Sequence, residues 1–185
     1  MHSKNLVQAL RDLQGDLGRE GVPFAVIGAL AMFQHGYVRH TEDIDIVTTP
    51  GGLQVIHDKL IGRGLVPRAA GLRKKLRNTI HQVDVDVIQS GEHAGAADSP
   101  VVYPDPTSAA FGTEVDGVRY ATLESLVTFK IGSGVWGRRP RDLADVIELV
   151  KANSLDEGWG ERLQPELRAK FVELVEASRL ERDIE

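Results

Sequence analysis

Two short stretches set aspartate in alternation with β-branched residues: Asp43-Ile44-Asp45-Ile46 and Val83-Asp84-Val85-Asp86-Val87. Aspartate is disfavoured inside strands, so its recurrence at every second position asks for a reason. Side chains alternate across a strand, so Asp43 and Asp45 share one face, as do Asp84 and Asp86, while the Ile and Val residues turn to the other. If the two strands are neighbours in one sheet, three or four carboxylates converge. Crowded carboxylates repel and raise one another's pKa unless a cation neutralises them. Mg²⁺ or Mn²⁺ is the natural cation for hard oxygen donors in a chain without cysteine. One Asp-x-Asp is ordinary on an amphipathic sheet facing water; two, at strand centres, favour a metal site.

The elements that position these acids are legible around them. Residues 23–27 (Pro-Phe-Ala-Val-Ile) form a short apolar run of buried-strand type that ends at Gly28, and a short helix follows over 29–34. A tight strand-to-helix turn presents backbone N–H groups that suit a phosphate. Arg39 and Thr41 lie just upstream of the first acid pair. Thr49-Pro50 opens a helix through Leu53, Ile56 and Leu60, and residues 79–88 alternate as one strand. No element is assigned between Val66 and Leu76.

Elsewhere, Leu6, Leu10, Leu13 and Leu17 recur at helical spacing. Residues 90–112, with three prolines, read as a long surface connection, and Asp116-Gly117 marks a tight hairpin. Thr122 caps a helix through Lys130 that Gly132-Ser133-Gly134 stops. Pro140 opens another with Leu143, Val146, Ile147 and Val150 on one face, and Pro165 opens a last one with Leu167, Phe171, Leu174 and Val175. Strands interleave with helices early and helices dominate late, so the class is α/β (α+β).

Composition excludes several classes. With 185 residues, 42% hydrophobic and 26% charged, the chain is long and apolar enough for a real core, and it is neither disordered nor fibrous. The absence of cysteine removes disulfides, thiolate metal sites and cysteine nucleophiles. No run approaches the ~20 apolar residues of a membrane span, the first residues lack the apolar stretch of a signal peptide, and a cytoplasmic location is expected. Lys and Arg number 22 against 27 Asp and Glu, a net charge of -5 that argues against a general nucleic-acid coat. Residues 63–77 still carry six basic side chains and no acid: Arg63, Arg68, Arg73, Lys74, Lys75 and Arg77. A solvated flank is the plainer reading; a cradle for a polynucleotide such as tRNA is the alternative, without aromatics for base stacking. The six histidines form no zinc pattern.

The ordered set Gly28-Ala29, Arg39-x-Thr41-x-Asp43-Ile44-Asp45 and Val85-Asp86-Val87-Ile88 resembles the nucleotidyltransferase superfamily typified by DNA polymerase β and the small minimal nucleotidyltransferases. Residues 86–92, the Asp116-Gly117-Val118 turn, residues 123–134 and Arg141-Asp142-Leu143-Ala144-Asp145-Val146 are similar to one bacterial branch, related to the nucleotidyltransferase toxins of abortive-infection systems. The resemblance covers about residues 20–150. It implies a nucleotidyltransferase fold: a mixed β-sheet flanked by helices, with a helical C-terminal portion. One such domain is expected over 1–185, its core about 20–120 and its helical portion about 121–185.

Residue by residue, Asp43 and Asp45 match the metal-binding pair and Asp86 the third catalytic carboxylate, with Asp84 an accessory neighbour. Gly28 matches the first position of the glycine motif. Ala29 stands where Ser or Gly is usual, so a hydroxyl is missing while the backbone N–H groups remain. Arg39, Thr41, Lys130 and Arg141 are implied nucleotide-binding residues, and Asp142 and Asp145 match the branch's acidic helix positions. The implied reaction is two-metal transfer of a nucleoside monophosphate from an NTP to a hydroxyl on a tRNA, a protein or a small molecule, with Asp86 accepting the hydroxyl proton. The alternative is a catalytically silent nucleotide- or partner-binding module of the same fold, possible as one half of a toxin–antitoxin pair with a partner protein.

Overall fold

The structure, a computed structural model, describes residues 2–182. Its centre is a seven-stranded mixed sheet in the order β3-β4-β5-β2-β1-β7-β6. In chain order the strands are β1 (Phe24–Ile27), β2 (Asp43–Thr48), β3 (Leu65–Pro67), β4 (Lys75–Asn78), β5 (Val83–Gln89), β6 (Gly112–Val115) and β7 (Val118–Ala121). β2 lies between antiparallel β1 and parallel β5. Ile44, Ile46, Val83, Val85 and Val87 are all buried, as the alternation requires.

Helix α1 (His2–Arg19) lays Leu6, Leu10, Leu13 and Leu17 into the core and packs across β2 and β5. The short α2 (Gly28–Gln34) starts directly from β1, and α3 (Pro50–Val55), capped by Thr49, continues through a π-helical turn over Ile56–Leu60. The C-terminal third forms α4 (Leu123–Val135), α5 (Pro140–Asn153), a 3₁₀ turn (Glu157–Arg162) and α6 (Pro165–Arg182), packed on one another. Leu167, Phe171, Leu174 and Val175 of α6 join the same hydrophobic cluster as the sheet. Among the described residues, no helix is long and apolar enough to cross a membrane.

Three local expectations are corrected. Residues 79–88 are not one strand: β4 and β5 form a hairpin whose turn covers 79–82. There Asn78 Oδ1 accepts from the backbone N–H groups of Ile80 and His81, closing the turn where alternation alone suggested extension. Gly132-Ser133-Gly134 does not stop α4, which runs on to Val135. These glycines serve close packing: a Cβ on Gly134 would lie 2.4 Å from Leu143 Cδ2 on α5. The segment expected as a surface connection over 90–112 is irregular up to β6 but not merely superficial, since Ala94, Val101, Tyr103 and Phe111 are buried and Phe129 of α4 meets the Tyr103 ring at a tilt and the Phe111 ring edge-on. The hairpin at Asp116-Gly117 joins β6 to β7 with both residues at positive φ, as the turn requires.

Candidate active site

Because β2 and β5 are parallel and adjacent, their registers bring the two acidic pairs side by side: Asp43 opposite Asp84, Asp45 opposite Asp86. One carboxylate oxygen from each of Asp43, Asp45 and Asp86 lies within 4.8 Å of the others. All three side chains are half-buried, while their β-branched neighbours face the core. Asp84 stands apart from this triad. Its carboxylate accepts from Arg77 Nη1 at 2.6 Å and pairs with Arg68 Nη1 at 3.4 Å, which makes it an anchor for β4 and the loop after β3.

The triad is electrostatically strained. Burial pushes the Asp45 carboxyl up to about 7, and the charges on Asp43 and Asp86 push the same way, against a smaller opposing pull from Lys130 and Lys75. Asp43 is oriented by Thr41, whose hydroxyl donates to Oδ1. Asp86 Oδ2 accepts from Lys75 Nζ across the β4–β5 ladder, while its Oδ1 is buried without a hydrogen-bond partner. An orphaned carboxylate oxygen beside two further carboxylates is a donor set that suits a hard divalent cation.

Gly28 explains itself at this point. Its φ is +66°, and a Cβ there would lie 2.1 Å from Asp45 Oδ2, so only glycine leaves room for the carboxylate. The glycine thus makes space for an acid at the end of β1. Ala29, next in α2, is buried.

The acids open onto a cleft of about 600 Å³. Arg39, His40, Thr41 and Glu42 line one side, Lys75, Val87 and Ile88 another, and Arg139, Arg141 and Asp142 a third. A smaller slot of about 90 Å³ adjoins it behind Gly28, walled by Ile27, Tyr103, Phe129 and Ser133. Burial raises the Tyr103 hydroxyl pKa, and a hydrogen bond with Ser133 partly offsets the shift.

Among the basic residues expected at a nucleotide, Arg141 is exposed on the cleft wall. Lys130 is differently placed. Its buried ammonium donates to Asp142 Oδ1 at 2.9 Å and Asp145 Oδ2 at 2.6 Å, and Arg39 Nε lies 3.3 Å from Asp145 Oδ1. Asp142 and Asp145 are therefore the carboxylates that hold Lys130 of α4 and Arg39 of the pre-β2 loop against α5. The charged groups of this network line the floor of the site rather than reaching freely into it.

The basic run between 63 and 77 is largely paired within the chain. Arg73 donates to Gln54 Oε1, Lys74 to Glu92, Lys75 to Asp86, and Arg68 and Arg77 meet Asp84. Lys75 is the site residue that sequence reasoning missed. Its signal was Lys75-x-Arg77, an alternation of cations that mirrors Asp84-x-Asp86 once β4 and β5 are folded into a hairpin.

No protein-family model matches the chain, and no curated protein matches it in sequence at a significant level. Solved structures do match. The solution structure of the antibiotic-resistance factor ANT(2'')-Ia aligns over 100% of this chain and 95% of its own, at TM-score 0.53 and 16% identity. The crystal structure of ANT(2'')-Ia in complex with adenylyl-2''-tobramycin aligns over 95% of this chain and 98% of its own, at TM-score 0.51 and 18% identity. The fold of this chain is that of the nucleotidyltransferases.

Proposed function

We propose that this chain transfers a nucleoside monophosphate from an NTP to an acceptor hydroxyl, with Mg²⁺ or Mn²⁺ held by Asp43, Asp45 and Asp86. The observation that carries the reading is the triad itself: three carboxylates within 4.8 Å, one with its pKa pushed up to about 7, another with a buried unpartnered oxygen. Such an arrangement is costly without a cation and is relieved by one. When bound, a divalent ion there supplies Lewis acidity to the phosphoryl oxygens and lowers the pKa of the attacking hydroxyl.

The chain's own residues do the rest. The acceptor oxygen forms a bond to the α-phosphorus while the α–β bridging bond breaks and pyrophosphate leaves. Asp86 receives the hydroxyl proton on the carboxylate oxygen that does not hold the cation. Arg141, exposed on the cleft wall, balances charge on the triphosphate and the departing pyrophosphate, with Arg139, which also meets Asp142 Oδ2 at 3.2 Å, beside it. The buried Lys130–Asp142–Asp145 cluster fixes α4 against α5 and so sets the position of that wall. A small-molecule or protein acceptor is better supported than tRNA, because most of the basic run is committed to internal partners.

The test is label transfer. The protein is incubated with Mg²⁺, each α-labelled NTP in turn, and pools of tRNA, total protein and small hydroxylated molecules. The wild type should release pyrophosphate and label one pool, and Asp43→Asn should do neither. Labelling by Asp43→Asn at the wild-type level would overturn the assignment. The second reading, a silent nucleotide- or partner-binding module, draws on Ala29 and on the internal pairing of Lys130 and Arg39. It predicts NTP binding without label in any pool.

A further inference from the structure

Asp84 and Asp86 sit two positions apart on one face of β5, yet they are neutralised in different ways. Asp84 is held by two arginines, Arg77 and Arg68. Arg77 reaches Asp84 Oδ1 through Nη1, with its Nε and Nη2 on Gln82 Oε1, and Arg68 lies against Oδ2, so both carboxylate oxygens of Asp84 are held. Asp86 has one cation, the Lys75 ammonium, on Oδ2 alone. The Lys75 side chain is 49% exposed, at the rim of the cleft, on a flexible stem that forms a point-charge contact. The neighbouring Lys74 is tied elsewhere, to Glu92. Among the described residues, the third acid of the triad thus has its counter-charge on one oxygen only, from a lysine at the rim of the cleft, with its other oxygen unpartnered.

We propose that Lys75 is a displaceable counter-cation: its ammonium neutralises Asp86 in the metal-free protein and gives up that carboxylate when a divalent cation binds the triad. The inference rests on reading Asp43, Asp45 and Asp86 as the metal site. Lys75 acts through Asp86 and is a positioning residue. It lowers the cost of holding three acids together before metal arrives, and it makes every metal-binding event compete with an internal ammonium. Metal affinity is therefore set below what the three acids would give alone.

Removing the ammonium should tighten metal binding, the opposite of what simple damage to the site produces. Calorimetry with Mn²⁺ and no nucleotide should show Lys75→Met binding about tenfold tighter than wild type. That is roughly the factor by which metal binding is weakened when it must first break a +1/−1 contact at ~3 Å in a water-like dielectric. Lys75→Arg should restore weak binding. In the wild type, Mn²⁺ should also raise the rate at which the Lys75 amine is acetylated, read by mass spectrometry, while lysines away from the cleft stay unchanged. If the wild type binds Mn²⁺ but Lys75→Met binds no tighter and Lys75 acetylation does not respond, the counter-cation role is wrong. If the wild type binds no Mn²⁺ at all, the metal-site reading itself fails. Should Lys75→Met not fold, the acetylation response of the wild type still decides.

Discussion

Asp45→Asn should stabilise the metal-free protein, and increasingly so as pH rises. The Asp45 carboxyl is pushed up to about 7 in the folded chain from an ordinary value of 3.8. An acid with a raised folded pKa holds its proton longer in the folded state than in the unfolded one. Its contribution is therefore full below the ordinary value and lost as pH climbs to about 7, at about 1.4 kcal/mol per pH unit. Between pH 5 and pH 8 the wild type should lose about 3 kcal/mol that the asparagine variant, which never ionises, does not lose. For a chain of this size that difference is about 6–12 °C in Tm. The comparison across pH cancels any fixed packing cost of the substitution. Thermal melts of both proteins at pH 5 and pH 8, in chelator, measure it directly. A gap in Tm that is the same at both pH values would refute the crowding argument. Millimolar Mg²⁺ or Mn²⁺ should raise the wild-type Tm at pH 8 and leave the variant unmoved.

Other outcomes follow from the same geometry. Gly28→Ala places a Cβ 2.1 Å from Asp45 Oδ2 at a positive φ, so it should cost about 1–3 kcal/mol in urea denaturation and abolish the metal-induced rise in Tm. Lys130→Ala strips the ammonium from two buried carboxylates and should cost about 3–5 kcal/mol, read as a lower denaturation midpoint. Lys130→Ala losing nucleotide binding with stability unchanged would instead favour a direct phosphate contact.

Much of this was legible in the chain because period-two alternation carries both the fold and the site. Asp43-Ile44-Asp45-Ile46 and Val83 to Val87 announce which side is core and which side is acid, and parallel pairing of the two strands then brings the acids together. Thr122 and Pro140 mark their helix starts for equally local reasons, one through its side-chain cap and one through its fixed φ. What escaped the sequence depends on distant partners. β4 reads Lys-Leu-Arg-Asn, with too little apolar content to signal a strand, and it is held by backbone pairing to both β3 and β5, by the buried Leu76 and by its cations facing Asp84 and Asp86. The glycines of α4 look like a helix stop until Leu143 of α5 is seen filling the space above Gly134. The pairing of the Lys130 ammonium with Asp142 and Asp145 is likewise long-range, since it needs α5 to fold back on α4.

Asp43, Asp45 and Asp86 are proposed to hold a divalent cation beside the nucleotide. Anomalous diffraction from crystals grown with Mn²⁺ and a non-hydrolysable NTP analogue tests it most directly. A manganese peak should appear coordinated by all three carboxylates and by phosphate oxygen, with the Lys75 ammonium no longer on Asp86. An analogue bound in the cleft with no manganese at the three acids, and Asp86 still paired with Lys75, would contradict it.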